Sequence, residues 1–190
     1  VIKEGKDCRN KSLGKKVQEY IDLSQMTFDF REFVVDETGE VKIDYLFDGG
    51  WYQGELAIFS LEGLEEKSYQ GFVKEAASRA LSDSELGYIA IRDPIEGAKF
   101  SGRLGERNFN SGDYLGVKTF EMNPGDKFAF MFVPNGSVEV VFNNPKIGGS
   151  KSPLFSLATE NPDDEFRPGQ MGDVTGEGVI FAFEDIKVKN

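Results

Sequence analysis

The chain has 190 residues, enough for one domain with a substantial core, and its 39% hydrophobic content with 17 phenylalanines favours a globular fold over disorder. Its net charge of −11 disfavours nucleic acid and anionic membranes as partners, because both are themselves negative. The chain has no histidine and only one cysteine, Cys8, which excludes the commonest zinc ligand, the usual general base and an internal disulfide. No apolar run is long enough to span a bilayer.

The N-terminal segment differs in charge from the rest of the chain. The first sixteen residues hold six basic side chains against two acidic ones, although the whole chain is strongly acidic. We interpret residues 1–25 as an N-terminal arm or linker and residues 26–190 as a single domain. Because the sequence starts at Val1 and shows no signal peptide, we expect a mature form or a segment of a longer protein.

Alternating apolar and polar residues dominate from residue 26 onward, which is the period of β-strands. The segments are short, rich in β-branched and aromatic residues, and bounded by Gly or Asp turns. The predicted strands are 27–35, 40–47, 55–61, 86–92, 115–122, 127–133, 137–142 and 179–188. Asn135-Gly136 lies between two of them and predicts a hairpin turn.

One segment, at about 68–82, has the period of an amphipathic helix. Ser68 is a suitable N-cap, and apolar residues recur on one helical face. These are Tyr69, Phe72, Val73, Ala76, Ala77, Ala80 and Leu81. Many short strands with a single helix predict an all-β domain, a jelly-roll-like β-sandwich with the helix packed at an edge or end.

The sharpest chemical signal is an acidic segment with the spacing of a calcium-binding loop. Oxygen donors at the first, third, fifth, seventh and twelfth positions, with glycine at the sixth, are how an EF-hand-type loop surrounds Ca²⁺. The corresponding residues are Asp173, Thr175, Glu177, the backbone carbonyl of Val179, and Glu184, with Gly178 at the sixth position. Asp185 follows directly as a further oxygen donor.

Strand geometry adds a second argument for an ion near Glu184. If residues 179–189 are extended, Glu184 shares a face with apolar residues such as Ala182 and Ile186, where an isolated carboxylate is costly. A bound cation removes that cost. The flanks are those of a strand rather than of a helix-loop-helix, so the alternative is a glycine-rich acidic turn with Glu184 paired to a lysine.

A second acidic segment follows the strand at 40–47. Asp48, Trp51, Tyr52 and Gln53 lie in a glycine-rich loop, and Glu55 shares strand parity with apolar residues. Carboxylates and amides bind sugar hydroxyls, and an indole ring stacks on a pyranose. We therefore consider Asp48 and Glu55 as metal ligands and Trp51, Tyr52 and Gln53 as ligand contacts. The alternatives are an ordinary turn at Asp48, a Trp51 that plugs the end of the sandwich, and a Glu55 that is a buried hydrogen-bond partner.

Two weaker loops also offer oxygen donors. Residues 108–114 contribute Asn110, Asp113 and Tyr114 as candidate ligand contacts, and residues 93–97 contribute Asp93 and Glu96. Both loops have ordinary turn compositions, so simple solvated turns are the alternative in each case.

Several of these segments together resemble a known family. Residues 48–50, 53–60, 75–81, 96–102 and 173–185 resemble a bacterial, especially cyanobacterial, extracellular domain family, domain of unknown function 4114, which occurs as a module in RTX-type adhesins. The resemblance spans about residues 41–188. It implies an extracellular β-sandwich and a calcium-dependent, lectin-like role.

The predicted function is a non-catalytic, calcium-dependent carbohydrate-binding module of a secreted or surface adhesin. Its cofactor is Ca²⁺ and its partner a glycan on a cell or matrix surface, with no nucleic-acid partner and no membrane insertion. One alternative is a calcium-rigidified structural or protein-contact module without glycan binding. The other is a glycoside hydrolase, which requires two carboxyl groups about 5–5.5 Å or 6.5–9.5 Å apart across an open cleft.

Overall fold

A computed structural model describes residues 33–48, 52–64, 67–99 and 112–157, and four further strands at 2–4, 26–27, 168–171 and 180–184. For these four strands and for residues 47–48 it describes the backbone. The strands are β1 (Ile2–Glu4), β2 (Met26–Thr27), β3 (Phe33–Val34), β4 (Glu40–Ile43), β5 (Phe47–Asp48), β6 (Glu55–Ser60), β7 (Gly87–Arg92), β8 (Lys118–Glu121), β9 (Lys127–Val133), β10 (Leu154–Phe155), β11 (Pro168–Met171) and β12 (Ile180–Glu184). The helices are α1 (Tyr69–Leu81) and α2 (Val138–Asn143), with a 3-10 turn at Gly149–Lys151.

The central sheet is antiparallel and has the order β10-β9-β6-β7, with β3 also pairing with β9. Strands β6 and β9 pair along their whole length, from Glu55 opposite Val133 to Ser60 opposite Phe128. Both strands are buried almost throughout, which predicts that both faces of this sheet are covered.

A β-bulge on β7 sets which residues face each side of the central sheet. Leu56 pairs with Ile91 but the next residue, Ala57, pairs with Ile89, so Ala90 is the extra residue of the bulge. As a result Ala90 and Ile91 both belong to one hydrophobic core, whereas Ile89 packs against the other.

The two faces of the central sheet carry separate cores. Helices α1 and α2 cover one face, and the core between them and the sheet, which we call the helix-side core, contains side chains that are 0% exposed. Its fully buried members include Ala57, Phe59, Val73, Met131, Val138, Val141 and Phe155. The antiparallel pair β4–β8 contributes to the core on the other face, which includes Val41, Ile43, Leu56, Ile58, Met122, Phe128 and Phe130.

A third, mixed sheet has the order β2-β11-β12-β1-β5. Strand β1 is parallel to both of its neighbours, β12 and β5, while β11 is antiparallel to β12 and to β2. The start of the segment that we interpret as an arm, Ile2–Glu4, is thus a strand between two others. Within the described ranges, no helix is both long and apolar enough to cross a membrane.

The prediction of a mainly-β fold is confirmed, with most strands in antiparallel sheets. The predicted helix is also confirmed: α1 begins after Ser68, whose hydroxyl accepts the N–H of Gly71 at 3.3 Å. The predicted strands at 55–61, 86–92 and 127–133 correspond closely to β6, β7 and β9.

The strand predicted at 137–142 is wrong, because these residues form helix α2. The hydroxyl of Ser137 caps the helix by accepting the N–H of Val140 at 3.3 Å, and Val138 and Val141, three residues apart, are both buried. The hairpin turn predicted at Asn135-Gly136 is therefore wrong too, since this turn leads from β9 into a helix.

Candidate functional site

An acidic residue ends each of three neighbouring strands in the mixed sheet. Strands β12, β1 and β5 run in the same direction, and their last residues are Glu184, Glu4 and Asp48. In the pairing register Glu4 lies opposite Glu184, and Lys3 lies opposite Asp48. The carboxyl ends of parallel strands meet at one edge of a sheet, so these residues share an edge, which we call the acidic edge.

The backbone spacing places the three residues of the acidic edge in one small region. Adjacent strands lie about 4.8 Å apart, so β12 and β5, on either side of β1, are separated by roughly 10 Å. In this register Glu4 and Glu184 are level with each other, whereas Asp48 is level with Lys3, one position before Glu4. Because successive residues of a strand alternate between the two faces of a sheet, Asp48 belongs to the face of Lys3 and not to that of Glu4 and Glu184.

Two of these three residues, Asp48 and Glu184, are predicted metal ligands from distant parts of the sequence. Glu4 was missed, because it lies in the basic N-terminal segment and its strand has only three residues. No local sequence signal identifies it. Its place depends on pairing with a strand near the other end of the chain.

Several predicted site residues lie outside the described residues. They are Asp173, Thr175, Glu177, Val179, Asp185, Trp51 and Asn110. Strand β12 begins at Ile180, directly after the predicted loop residue Val179, so the extended flank expected there is present. In the part of the chain that the structure describes, no group of three or more acidic or Cys side chains is arranged to hold a metal.

Glu55, a predicted metal ligand or buried hydrogen-bond partner, lies at the start of β6. Its side chain is on the face of the helix-side core, and the residue is 9% exposed. Its Oε2 accepts the backbone N–H of Val138, the first residue of α2, at 2.7 Å. Its Oε1 lies 3.6 Å from Nε of Arg92. The structure thus gives Glu55 a hydrogen-bonding role between β6 and α2, and its role as a metal ligand stays a prediction.

Burial raises the pKa of the Glu55 carboxyl above its ordinary value. The hydrogen bond from Val138 and the nearby charge of Arg92 oppose this effect, and the charge of Glu139 adds to it. A carboxyl with a raised pKa in a largely apolar setting is a common feature of functional sites and also of structural networks.

Tyr114, a predicted ligand contact, belongs to an exposed cluster with Asp44 and Lys99. The Tyr114 hydroxyl donates to Oδ1 of Asp44 at 2.6 Å, and Nζ of Lys99 donates to Oδ2 of the same carboxylate at 3.1 Å. The Lys99 ammonium also lies 6.0 Å from the centroid of the Tyr114 ring. Burial of the hydroxyl and its bond to Asp44 raise the pKa of Tyr114 to about 12, so the phenol stays protonated and can donate to Asp44.

Three apolar residues close to Tyr114 in the sequence, or in contact with Gly112, are also exposed. Ile95, Leu115 and Val117 are 68%, 62% and 57% exposed, and Tyr114 itself is 38% exposed. Gly112, two residues before Tyr114, packs directly against the backbone of Ile95 and Glu96. The Tyr114 ring and these apolar residues are therefore accessible at the surface.

The other predicted ligand contacts are also at the surface. Asp113 is exposed, and its backbone carbonyl accepts the N–H of Gly97 at 3.0 Å. Tyr52 and Gln53 are exposed and precede β6. Gly54 follows them, and a Cβ there would lie 2.1 Å from the carbonyl oxygen of Val133, so the chain passes too close to β9 for any side chain.

Two acidic residues are buried in the loop after β7, where the sequence suggested a simple turn. Asp93 and Glu96 are only 4% and 3% exposed. The Tyr45 hydroxyl donates to Asp93 at 2.8 Å. One oxygen of Glu96 accepts the Arg92 backbone N–H, and the other lies 2.5 Å from Nζ of Lys118. Turn composition gave no indication of this burial, because it depends on contacts with residues on other elements.

A chain of contacts links Glu55 with Asp113, two of the predicted site residues. Glu55 contacts Arg92, the Arg92 amide contacts Glu96, and the residue after Glu96 bonds to Asp113, which precedes Tyr114. In the mixed sheet, Asp48 and Glu184 lie on the two strands that flank β1, one on either side of it.

Fold and site define a mainly-β protein that combines an acidic sheet edge with an exposed tyrosine surface. Residues 122–190 match the model of the family described as Domain of unknown function (DUF4114), so this C-terminal part of the chain is similar to that family. The match includes the acidic segment 173–185, whereas the resembling segments at 48–60, 75–81 and 96–102 lie outside it. No curated protein and no solved structure matches the chain.

Proposed function

We propose that this protein is a non-catalytic, calcium-dependent carbohydrate-binding module of a secreted or cell-surface adhesin. The observation that carries the proposal is the acidic edge. Three parallel strands, at residues 2–4, 47–48 and 180–184, each end in a carboxylate residue, and the predicted calcium loop leads into one of them. Oxygen donors of this kind are the ligands that Ca²⁺ prefers.

The residues that would hold Ca²⁺ are those of the predicted loop together with Glu4, which is paired with Glu184, while Asp48, paired with Lys3, would contribute to a second site on the other face of the sheet. The ion supplies positive charge among carboxylates and an electrophilic centre to which sugar hydroxyls bind. The glycine-rich segment that follows β5 carries Trp51, Tyr52 and Gln53, so candidate sugar contacts begin beside the acidic edge. Tyr114 and Asp113 supply a second candidate contact surface.

A thermal melt of the chelated protein, titrated with CaCl₂ and separately with MgCl₂, tests the calcium part of the proposal. A ligand that binds only the folded state stabilises by about 2.7 kcal/mol at a hundredfold excess over its dissociation constant. For a domain of this size we expect Tm to rise by about 5–11 °C with Ca²⁺ and little with Mg²⁺. Glu184→Gln and Asp48→Asn should reduce the rise, while Glu62→Gln, at an exposed turn, should not.

The sugar part requires a separate measurement. We expect binding to immobilised glycans in calcium-containing buffer and its loss in excess EDTA. Binding that persists in EDTA contradicts a calcium-dependent lectin. A Tm that responds to neither ion removes calcium from the proposal.

The acidic edge also favours a second candidate function, a calcium-rigidified structural or protein-contact module. An ion held at the ends of β12 and β1 would link the two ends of the chain, so it would stabilise the fold whether or not a sugar binds. A clear rise in Tm with Ca²⁺ together with no binding on a glycan array would favour this function over the first.

We further propose that the sheets stack as a jelly-roll-like β-sandwich, as expected for an extracellular module of this kind. The support is the shared core between the central sheet and the β4–β8 pair, which contribute Ile58 and Val41 respectively. A solved structure in which these sheets do not stack face to face would contradict this proposal.

A further inference from the structure

The loop after β7 and the segment before β8 approach each other more closely than side chains allow. A Cβ on Gly97 would lie 2.3 Å from the carbonyl oxygen of Gly112, and a Cβ on Gly112 would lie 2.4 Å from the carbonyl oxygen of Ile95. The Gly97 N–H donates to the carbonyl of Asp113 at 3.0 Å. The two segments therefore touch backbone to backbone, and both glycines are required for that contact.

A largely buried ion pair also joins the loop after β7 to the start of β8. Glu96 is on the first segment and its side chain is 5% exposed; Lys118, where β8 begins, is 23% exposed. Their charged atoms lie 2.5 Å apart. The second Glu96 oxygen accepts the Arg92 amide, so the carboxylate is held from both sides. Neutralising one partner of such a pair destabilises the folded protein much more than neutralising a partner of a surface pair, because the remaining charge stays buried.

The two segments in contact carry Tyr114 and Lys99, which form the exposed tyrosine surface together with Asp44. Tyr114 lies between Gly112 and Lys118, and Lys99 lies three residues after Glu96. Both side chains bind the carboxylate of Asp44, at 2.6 and 3.1 Å. The Lys99 backbone N–H donates to the carbonyl of Tyr45, which fixes the loop to the chain that carries Asp44.

We infer that Glu96 and Lys118 are positioning residues for ligand binding. Their ion pair fixes the backbone on both sides of Tyr114, so that its ring and the Asp44–Lys99 pair present one pre-organised surface to a sugar ring. Pre-organisation matters here because ordering a loop on binding lowers affinity. This inference rests on the proposed carbohydrate-binding function and identifies what holds that surface in place.

The test compares Glu96→Gln with a matched control, Glu75→Gln, which neutralises the carboxylate of an ion pair with Arg79 on α1. Hydrogen exchange of the Gly97 amide reports the contact between the segments, and that of Ala129 reports the central sheet. NMR titration of ring-labelled tyrosine, assigned with Tyr114→Phe, reports the bond to Asp44. Lys118→Gln provides a second route if Glu96→Gln folds poorly.

In Glu96→Gln we expect Gly97 exchange at least about tenfold faster and Ala129 exchange unchanged, because the broken contact is local. The pKa of Tyr114 should fall from about 12 toward the ordinary value near 10 as its bond to Asp44 weakens. Glu75→Gln should change neither quantity. An unchanged Gly97 amide and an unchanged Tyr114 in Glu96→Gln would overturn the inference, and so would equal acceleration at Ala129, which indicates general loosening.

Binding to immobilised glucose, mannose, galactose and fucose separates this inference from the proposed function. If the wild type binds one of them, Glu96→Gln should bind it at least about fivefold more weakly, and equal binding would overturn the positioning role while the lectin function stands. If the wild type binds none, the proposed sugar ligands fail, and the exchange and titration experiments still decide whether Glu96 positions Tyr114.

Discussion

Glu55 provides the sharpest test of the structure, because its carboxylate connects β6 to α2 across 83 positions of sequence. Replacing it with alanine leaves the buried N–H of Val138 without this acceptor. Such a loss costs about 1–3 kcal/mol, so we expect Glu55→Ala to lower Tm by about 4–8 °C at the middle of that range. Glu55→Gln keeps an oxygen that can accept the same N–H, so its effect should be below about 1 kcal/mol.

The pH dependence of this effect has a definite sign. Burial raises the pKa of Glu55 in the folded protein above that of an unfolded glutamate, about 4.3. The folded state therefore binds the proton more tightly, and this contribution to stability is fully present below the unfolded pKa and lost as pH rises through the raised folded pKa. The stability of the wild type relative to Glu55→Gln, which does not titrate, should fall as pH increases through that window.

Urea denaturation of the wild type, Glu55→Ala and Glu55→Gln at several pH values provides the measurement. A stability difference that is flat or increases with pH would refute the assignment of a raised pKa. Equal destabilisation by alanine and glutamine would refute the hydrogen-bond explanation. Repeating the melts with Ca²⁺ tests the metal role: a full calcium response in Glu55→Gln excludes Glu55 as an essential ligand, and a reduced response supports it.

Three further substitutions test the packing around the site, all by urea denaturation. Gly112→Ala places a Cβ 2.4 Å from the carbonyl of Ile95 and should cost about 1–3 kcal/mol, whereas Gly148→Ala, with nothing within 4 Å, should cost little; equal effects would contradict the close approach. Ser137→Ala removes the side-chain cap of α2 and should cost about 1 kcal/mol, an expectation that an unchanged midpoint would rule out. Phe155→Ala empties a 0% exposed site in the helix-side core and should cost about 3–5 kcal/mol; a loss below 1 kcal/mol would show that this core is not packed as described.

The elements that the sequence predicted well are those whose local pattern and tertiary packing agree. Helix α1 follows from the helical spacing of Phe72, Val73 and Ala76 after a capping Ser68, and all three apolar residues are buried. Strand β9 follows from a dense run of apolar residues, three of them phenylalanines, which is typical of a strand covered on both faces.

Helix α2 shows how tertiary contacts change the outcome. The Val-Glu-Val-Val pattern from Val138 is compatible with a strand or a helix, and the β-branched residues favour a strand. The helix forms because Ser137 caps it, Glu55 accepts its first amide, and the helix-side core covers its buried face. Two of these three influences are non-local, so short-range patterns could not include them.

The candidate site divides in the same way. Residue types and spacing singled out Asp48, Glu55, Tyr114 and Glu184 as chemically distinctive, because carboxylates and aromatics have the same donor and stacking properties in any fold. The sequence did not predict that Glu4 joins the acidic edge or that Glu96 is buried and paired with Lys118. Both depend on strand pairing and loop contacts between distant residues.

The sequence by itself determined the acidic character of the protein, its mainly-β composition, its amphipathic helix and the set of side chains available for binding. These properties follow from residue chemistry and short-range periodicity, which do not require knowledge of distant partners. Only the tertiary structure decided which acidic residues share an edge and which loops hold Tyr114. Parallel pairing of β1 with β12 joins residues about 180 positions apart. Such a pairing is stabilised by the whole assembled sheet, so it cannot be predicted from the sequence of either strand alone.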